Sequence, residues 1–329
     1  MQPTRKQGNL RSFVKWAVWV LLVQLILMNI SAALHAYKFT HFYDDPALRQ
    51  PYRPYKNIFV KTWKLFSGIK YPRSLITDVP QFAVDTVSLH TANGLRIDCW
   101  YSQTDSLSKG TVILFHGLLM NKGMILPVAS EFRYLGYNVL LVDLRGHGNS
   151  DGHSTSLGYR EAEEVKLAYE YISRRGEKTV YLWGMSLGAV IISKALHDYP
   201  IQPAGVILEA PFASLQYHLK ARSRVLGFPE QPFGFLVTLW TGIEQGYNGF
   251  QHNTTNYVQS VHCPVLLQCG AIDRYVLPEE TSAIYQHIAS THKRLVIYDH
   301  ADHQLLEEKD PGLWRSEVRR FLQNTQTVK

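Results

Sequence analysis

Between Thr179 and Tyr199 the chain reads TVYLWGMSLGAVIISKALHDY, and this stretch decides the fold. Its first part, Thr179 to Trp183, is an apolar run of β-branched and aromatic residues, as a strand buried on both faces is. Its second part, from Leu187, repeats apolar residues at helical spacing. The junction Gly184-Met185-Ser186-Leu187-Gly188 is therefore a G-x-S-x-G sequence set between a strand and a helix. A serine on so sharp a turn is held in strained backbone with its hydroxyl exposed, and the flanking glycines leave room for neighbouring backbone. The helix N-terminus behind it offers unpaired N–H groups to a developing negative charge. Ser186 is the candidate nucleophile.

Outward from this turn the pattern stays regular. Strand-like runs occur at 82–89, 95–101, 111–115, 138–142, 179–183, 205–209, 264–269 and 294–298. Helix-like segments occur at 123–135, 158–174, 187–198, 279–289 and 313–323. The early runs alternate apolar and polar residues, as a half-exposed antiparallel edge does. Later runs such as VILFH and VLLVD are continuously apolar. Two early strands followed by alternating strand and helix predict an α/β fold, a mostly parallel eight-stranded sheet flanked by helices. The gap between Glu209 and Pro264 is too long for an ordinary connection, so residues 212–260 are expected to form an inserted cap.

Further motifs follow the strands. Phe115-His116-Gly117-Leu118 ends one buried run, and the backbone N–H of Leu118 is expected to join that of Leu187 as an oxyanion donor. Asp143-Leu144-Arg145-Gly146-His147-Gly148 follows another, and its Asp143 and His147 are expected to brace the loop rather than react. Asp273 follows the strand PVLLQC. Asp299-His300-Ala301-Asp302-His303 follows the last one. Ser186, Asp273 and His303 stand in the Ser…Asp…His chain order of an α/β-hydrolase triad. His300 is the competing histidine, and Glu209, at another strand end, the competing acid. A metal pair at His300 and His303 lacks a third ligand of suitable spacing, so neither metal nor cofactor is expected.

These residues resemble the α/β-hydrolase superfamily, in particular the serine aminopeptidase (S33)-like branch with its abhydrolase-domain relatives. The resemblance covers residues 82 to 323. It implies acyl transfer through Ser186, His303 and Asp273. Where that branch usually carries Gly-x-Gly-His, this chain has His300-Ala301-Asp302-His303.

The N-terminus reads differently. Trp16 to Leu34 carries no charge over a length close to the ~20 residues a membrane helix needs. Basic residues precede it, and Trp16 and Trp19 sit at its start, where interfacial aromatics belong. Residues 1–15 are thus expected as a cytoplasmic basic flank, 16–37 as a transmembrane anchor, 38–80 as a linker with a helix at 56–67, and 81–325 as the hydrolase domain. A signal peptide cut near Ala33 or Ala36 is the alternative, leaving a secreted or periplasmic product. In either case the catalytic domain is expected outside the cytoplasm.

Among 329 residues, 46% are hydrophobic and 19% charged, enough apolar mass for a sizeable core. The net charge is +7, but five of those charges (Arg5, Lys6, Arg11, Lys15, Lys38) lie in the first 38 residues. The nearly balanced remainder makes no basic stripe for nucleic acid. Three cysteines imply no disulfide framework. The expected activity is hydrolysis of a small-molecule ester or amide, with Leu119, Met120, Phe212 and Trp240 lining an apolar pocket. The alternatives are an aminopeptidase-like amide hydrolase and a membrane-tethered, non-catalytic binding protein.

Overall fold

The computed structural model describes residues 5–49, 57–105 and 107–326. Helix α1 (Arg5–Thr40) leads into β1 (Phe42–Tyr43), α2 (Ile58–Ser67) and β2 (Tyr71–Pro72), which pairs in parallel with β1. The main sheet then builds from β3 (Asp85–His90), β4 (Arg96–Ser102), β5 (Thr111–Phe115), α3 (Leu126–Tyr134), β6 (Asn138–Val142), α4 (Ala162–Arg174), β7 (Val180–Met185), α5 (Leu187–Asp198) and β8 (Gly205–Glu209). A cap follows, with α6 (Leu215–Val225), α7 (Phe235–Gln245) and α8 (Thr254–Tyr257). Then come β9 (Val265–Gly270), α9 (Pro278–His287), β10 (Lys293–Tyr298), α10 (Leu306–Lys309) and α11 (Pro311–Gln326).

Eight strands form one sheet in the order β10-β9-β8-β7-β5-β6-β4-β3. Only β4 runs against the other strands, antiparallel to both β3 and β6. Each central strand alternates its apolar side chains between two cores. Ile113 and Phe115 point toward α4 and α5, whereas Val112 and Leu114 point toward α3 and α11. Because β5 lies between β6 and β7, the chain reverses its direction of winding there. In open α/β sheets the crevice at such a reversal is where ligands bind.

The fold class matches the expectation, and the runs at 111–115, 138–142 and 205–209 coincide with strands to the residue. The helix expected over 158–174 begins at Ala162 instead. The reason is local: the Glu161 carboxylate accepts hydrogen bonds from the backbone N–H groups of Ser156 (2.8 Å) and Gly158 (3.0 Å), folding those residues into a turn. The expected helix at 123–135 splits into a 3-10 turn, Lys122–Ile125, and α3.

The largest departure concerns residues 38–80. Lys56, at the start of the expected helix, lies outside the described residues, as does part of the basic flank. The rest of this segment packs against the domain. Phe42 is buried with its ring 4.7 Å from that of His147. Arg73 donates to the Gly148 carbonyl (3.1 Å) and Ser74 to the Met120 carbonyl (2.8 Å). The anchor boundary at 37 is also not where the packing changes. From residue 11 to 27 the side chains of α1 are largely exposed. From Ser31 onward the helix turns inward, and Ala32, Ala36 and Phe39 form a third core with Leu219, Phe233, Leu236 and Val237 of the cap. Small residues four apart allow this close approach of two helices. The stretch Arg11–Thr40 is long and apolar enough to cross a membrane, a test that a signal sequence also passes.

A chain beginning at Met28 keeps this third core, whereas one beginning at Lys38 loses Ala32 and Ala36. We expect the shorter chain to melt lower by at least about 5 °C, given roughly 2–4 °C per kcal/mol for domains of this size. Thermal unfolding of both chains followed by circular dichroism checks this.

Candidate active site

The turn at Ser186 is fixed by steric necessity. Ser186 has φ 52° and ψ −112°, in a region that side-chain-bearing residues rarely occupy. Its backbone N–H is held by the Glu209 carbonyl at 2.7 Å. A Cβ on Gly188 would lie 2.1 Å from the Phe115 carbonyl oxygen, and one on Gly184 2.4 Å from the Gly188 carbonyl carbon. Only glycine lets α5 start this close to the ends of β5 and β7.

Three side chains from three strand ends meet at this turn. The hydroxyl of Ser186 lies 2.9 Å from His303 Nε2, and His303 Nδ1 lies 2.7 Å from Asp273 Oδ2. The other carboxylate oxygen of Asp273 accepts the N–H groups of Tyr275 (2.8 Å) and Val276 (2.9 Å), which aims the first at the imidazole. The loop carrying His303 is held by Asp302, which accepts the His303 N–H at 2.9 Å and pairs with Arg274 at 2.6 Å. His300 is exposed and takes no part in this chain of contacts.

Glu209 faces away, into the core between Trp183 and Trp314, whose indole N–H groups donate to it at 2.8 and 2.6 Å. Burial pushes its carboxyl up to about 7.

The loop after β5 approaches the turn from the other side: a Cβ on Gly117 would lie 3.6 Å from the Cβ of Ser186. Two buried imidazoles brace that loop. His116 Nδ1 donates to the Gly117 carbonyl (2.7 Å) while Nε2 accepts from the Leu144 N–H (3.1 Å). His147 Nδ1 donates to the Arg145 carbonyl (2.9 Å) while Nε2 accepts from the Leu119 N–H (3.2 Å). Both roles require neutral rings, and burial lowers their pKa values to about 4 and about 3. Below them Lys122, buried, is paired with Asp98 (2.5 Å) and Asp143 (2.6 Å). Asp143 also accepts the N–H groups of Lys122 and Asn149, so it is a bracket for two loops.

A cavity of about 250 Å³ opens on Ser186 and His303. Leu118, Leu119, Met120 and Met185 line it, together with Phe39, His218, Arg222 and Tyr275. Two residues expected here lie elsewhere. Phe212 is buried beside Val190 and Val276, and Trp240 lines a groove along α1 with Leu25, Ile26, Ile30 and Leu34. Composition placed both rings in the cap, but the cap's own packing sets where they point. Phe39, His218 and Arg222 were not foreseen. Signals for them were present: small residues at 32 and 36, and a His–Arg pair one helical turn apart. Among the described residues no group of three or more His, Cys, Asp or Glu is arranged to hold a metal.

Comparison with known proteins agrees with this architecture. The family model described as serine aminopeptidase, S33, matches residues 106–233 and 242–310. An uncharacterized protein of Bacillus subtilis, YqkD, is 28% identical over 223 residues, covering 65% of this chain and 71% of that one. The lysophosphatidylserine lipase ABHD12 of Danio rerio is 26% identical over 211 residues, 60% of this chain, which spans about half (51%) of that relative's length. Among solved structures, the Pyrococcus furiosus esterase Pf2001 superposes with a TM-score of 0.66 at 24% identity, over 77% of this chain and 96% of that one.

The pKa of Glu209 yields a test. Unfolded, its carboxyl ionises near 4.5; folded, it keeps its proton to about 7. The stability this group contributes is complete below pH 4.5 and is lost as pH rises to about 7. Glu209→Gln keeps an acceptor for both indoles but cannot ionise. Its stability relative to the parent should therefore rise between pH 4.5 and 7 and level off above, as read by urea denaturation across pH.

Proposed function

The chain belongs to the serine aminopeptidase S33 family of α/β-hydrolases, and on that premise we propose that it is a membrane-held serine hydrolase of carboxylic esters. The observation that supports this most directly is the unbroken run of short contacts from the Ser186 hydroxyl through His303 to the buried Asp273. In this reading His303 takes the Ser186 proton as Oγ attacks the acyl carbonyl, and Asp273 orients the imidazole and stabilises its cation. The tetrahedral oxyanion is held by the N–H groups of Leu118 and Leu187, the latter in the first turn of α5, where an N–H has no partner within the helix. The proton passes to the leaving alcohol. Water, deprotonated by the same histidine, then releases the acid and restores the serine.

An ester is favoured over an aminoacyl amide by the cavity's charge. An aminopeptidase must hold an α-ammonium group, yet among the described residues the lining carries Arg222 and no carboxylate. The apolar side chains at 118–120 suit an acyl chain. Relatives named as an esterase and as a lipase point the same way.

For the N-terminus we favour an uncleaved anchor with its basic end in the cytoplasm and the catalytic domain on the other side. Cleavage near Ala33 or Ala36 would cut inside the packed part of α1, where Ala32 and Ala36 are fully buried. Beside that segment α2 exposes Phe59 and Trp63, 81% and 62% accessible. Such apolar faces sit readily at the level of lipid headgroups. N-terminal sequencing of the membrane-extracted protein distinguishes the two forms.

Ser186→Ala and His303→Ala should each lower turnover of a short-chain ester at least about a thousandfold with folding intact, and Asp273→Asn severely. His300→Ala should cost less than tenfold. A fluorophosphonate probe should label the parent at Ser186 and leave Ser186→Ala unlabelled. An unlabelled parent would favour a non-catalytic binding protein, and an inactive His300→Ala beside an active His303→Ala would reverse the assignment of the base.

A further inference from the structure

The cavity on Ser186 is small, and part of its wall comes from outside the hydrolase domain. Its volume is about 250 Å³, whereas sites for drug-sized ligands span ~300–1,000 Å³. A methylene takes up about as much room as a water molecule, roughly 30 Å³, so an acyl chain of about eight carbons uses all of the space. Among the described lining residues, Phe39 alone lies ahead of the hydrolase sheet, at the end of α1.

Two observations make Phe39 a partition. It belongs to two places at once, lining the cavity and packing in the third core with Ala32, Ala36, Leu219, Leu236 and Val237. The volume its ring fills is therefore bounded by the cavity on one side and by apolar side chains on the other. The ring is also fixed. Phe39 is 2% exposed. The Arg222 guanidinium lies 3.7 Å from its centroid, the His218 ring stacks on it at 5.9 Å, and the Tyr71 ring meets it edge-on at 5.9 Å. Arg222 in turn donates to the Tyr71 hydroxyl, so the cation that holds the ring is itself held. A flexible side chain here would let the cavity lengthen on demand, and a ring gripped by three neighbours does not.

We infer that Phe39 sets the acyl chain length this hydrolase accepts. Its ring is the closed end of the acyl pocket, and esters of short- and medium-chain acids, up to about eight carbons, are the substrates that fit. This rests on the ester-hydrolase reading of Ser186 and narrows it. Phe39 touches the acyl chain and takes no part in bond making. A methylene beyond the limit must either displace the ring or stay in water, and a single methylene in an apolar pocket changes discrimination by roughly 10–200-fold. Helix α1 thereby contributes to specificity through its last turn, apart from any role in attachment.

The test uses the full-length protein in neutral detergent micelles with the p-nitrophenyl esters of butyric, octanoic, dodecanoic and hexadecanoic acids. The parent's kcat/KM should peak at the butyrate or the octanoate and fall at least about tenfold at the dodecanoate. Phe39→Ala removes the phenyl ring and opens room for about four methylenes. It should raise the dodecanoate-to-octanoate ratio at least about tenfold, mainly through KM. Phe39→Trp enlarges the ring and should act the other way, lowering the octanoate relative to the butyrate. Opposite shifts from two substitutions at one position do not arise from lost stability, which lowers turnover of every ester alike. A parent whose kcat/KM held or rose through the hexadecanoate would overturn the inference, a result that needs no variant to fold. So would an equal loss on all four esters in both variants, which would leave Phe39 a purely structural role. A fluorophosphonate label at Ser186 beside a flat chain-length profile would remove this inference and leave the ester-hydrolase reading standing. With no ester hydrolysed and no label taken, that reading would fail, and the inference with it.

Discussion

The site depends on one steric constraint: α5 begins within van der Waals contact of the ends of β5 and β7. No side chain fits at Gly188, where a Cβ would overlap the Phe115 carbonyl, nor at Gly184. The short distance forces Ser186 into its positive-φ conformation, and the Glu209 carbonyl holds it there. Everything else at the site is placed relative to this point. Asp273 and His303 arrive from the ends of β9 and β10, and the loop after β5 closes from the opposite side. A strain of about 1–3 kcal/mol at one residue is sustained because the sheet on both sides leaves the turn no other path.

The loop after β5 has its own support, built from groups that in another setting would look reactive. His116, His147, Asp143 and Lys122 are all buried, and their hydrogen-bonding groups meet backbone, one another or Asp98. Breaking a buried ion pair by removing one partner typically costs about 3–5 kcal/mol, because the remaining charge stays desolvated. The network therefore gives the loop a single geometry.

How much of this could be read from residues alone follows from where each signal lies. The central strands are legible because burial on both faces demands continuous apolar runs, so 111–115, 138–142 and 205–209 appear with their true limits. That Ser186, Asp273 and His303 come within hydrogen-bond distance of one another is legible because each sits just past such a run, in a recognisable order. The cavity wall is less so. Phe212 and Trp240 belong to the expected cap, yet their direction is set by contacts within it. Phe39, His218 and Arg222 meet only after residues more than 170 positions apart are packed together. The uncharged run at 16–34 conceals that its later residues face protein: alanines fit lipid and a helix interface equally well.

Helix α1 carries a mechanical consequence. Between Gly8 and Pro46 the chain contains neither glycine nor proline, the residues at which helices most often bend. The exposed apolar half and the half packed on the cap thus form one stiff rod. In the anchored form proposed above, the tilt of the rod would adjust to the local hydrocarbon thickness, at a cost of fractions of a kcal/mol per ångström of mismatch. With no bending joint, that tilt would be passed on to the cap as a rotation of the whole α/β domain. On the anchor reading proposed above, thickness of the surrounding lipid would set the angle at which the cavity mouth meets the membrane plane, and bilayer composition would act on the domain as a goniometer.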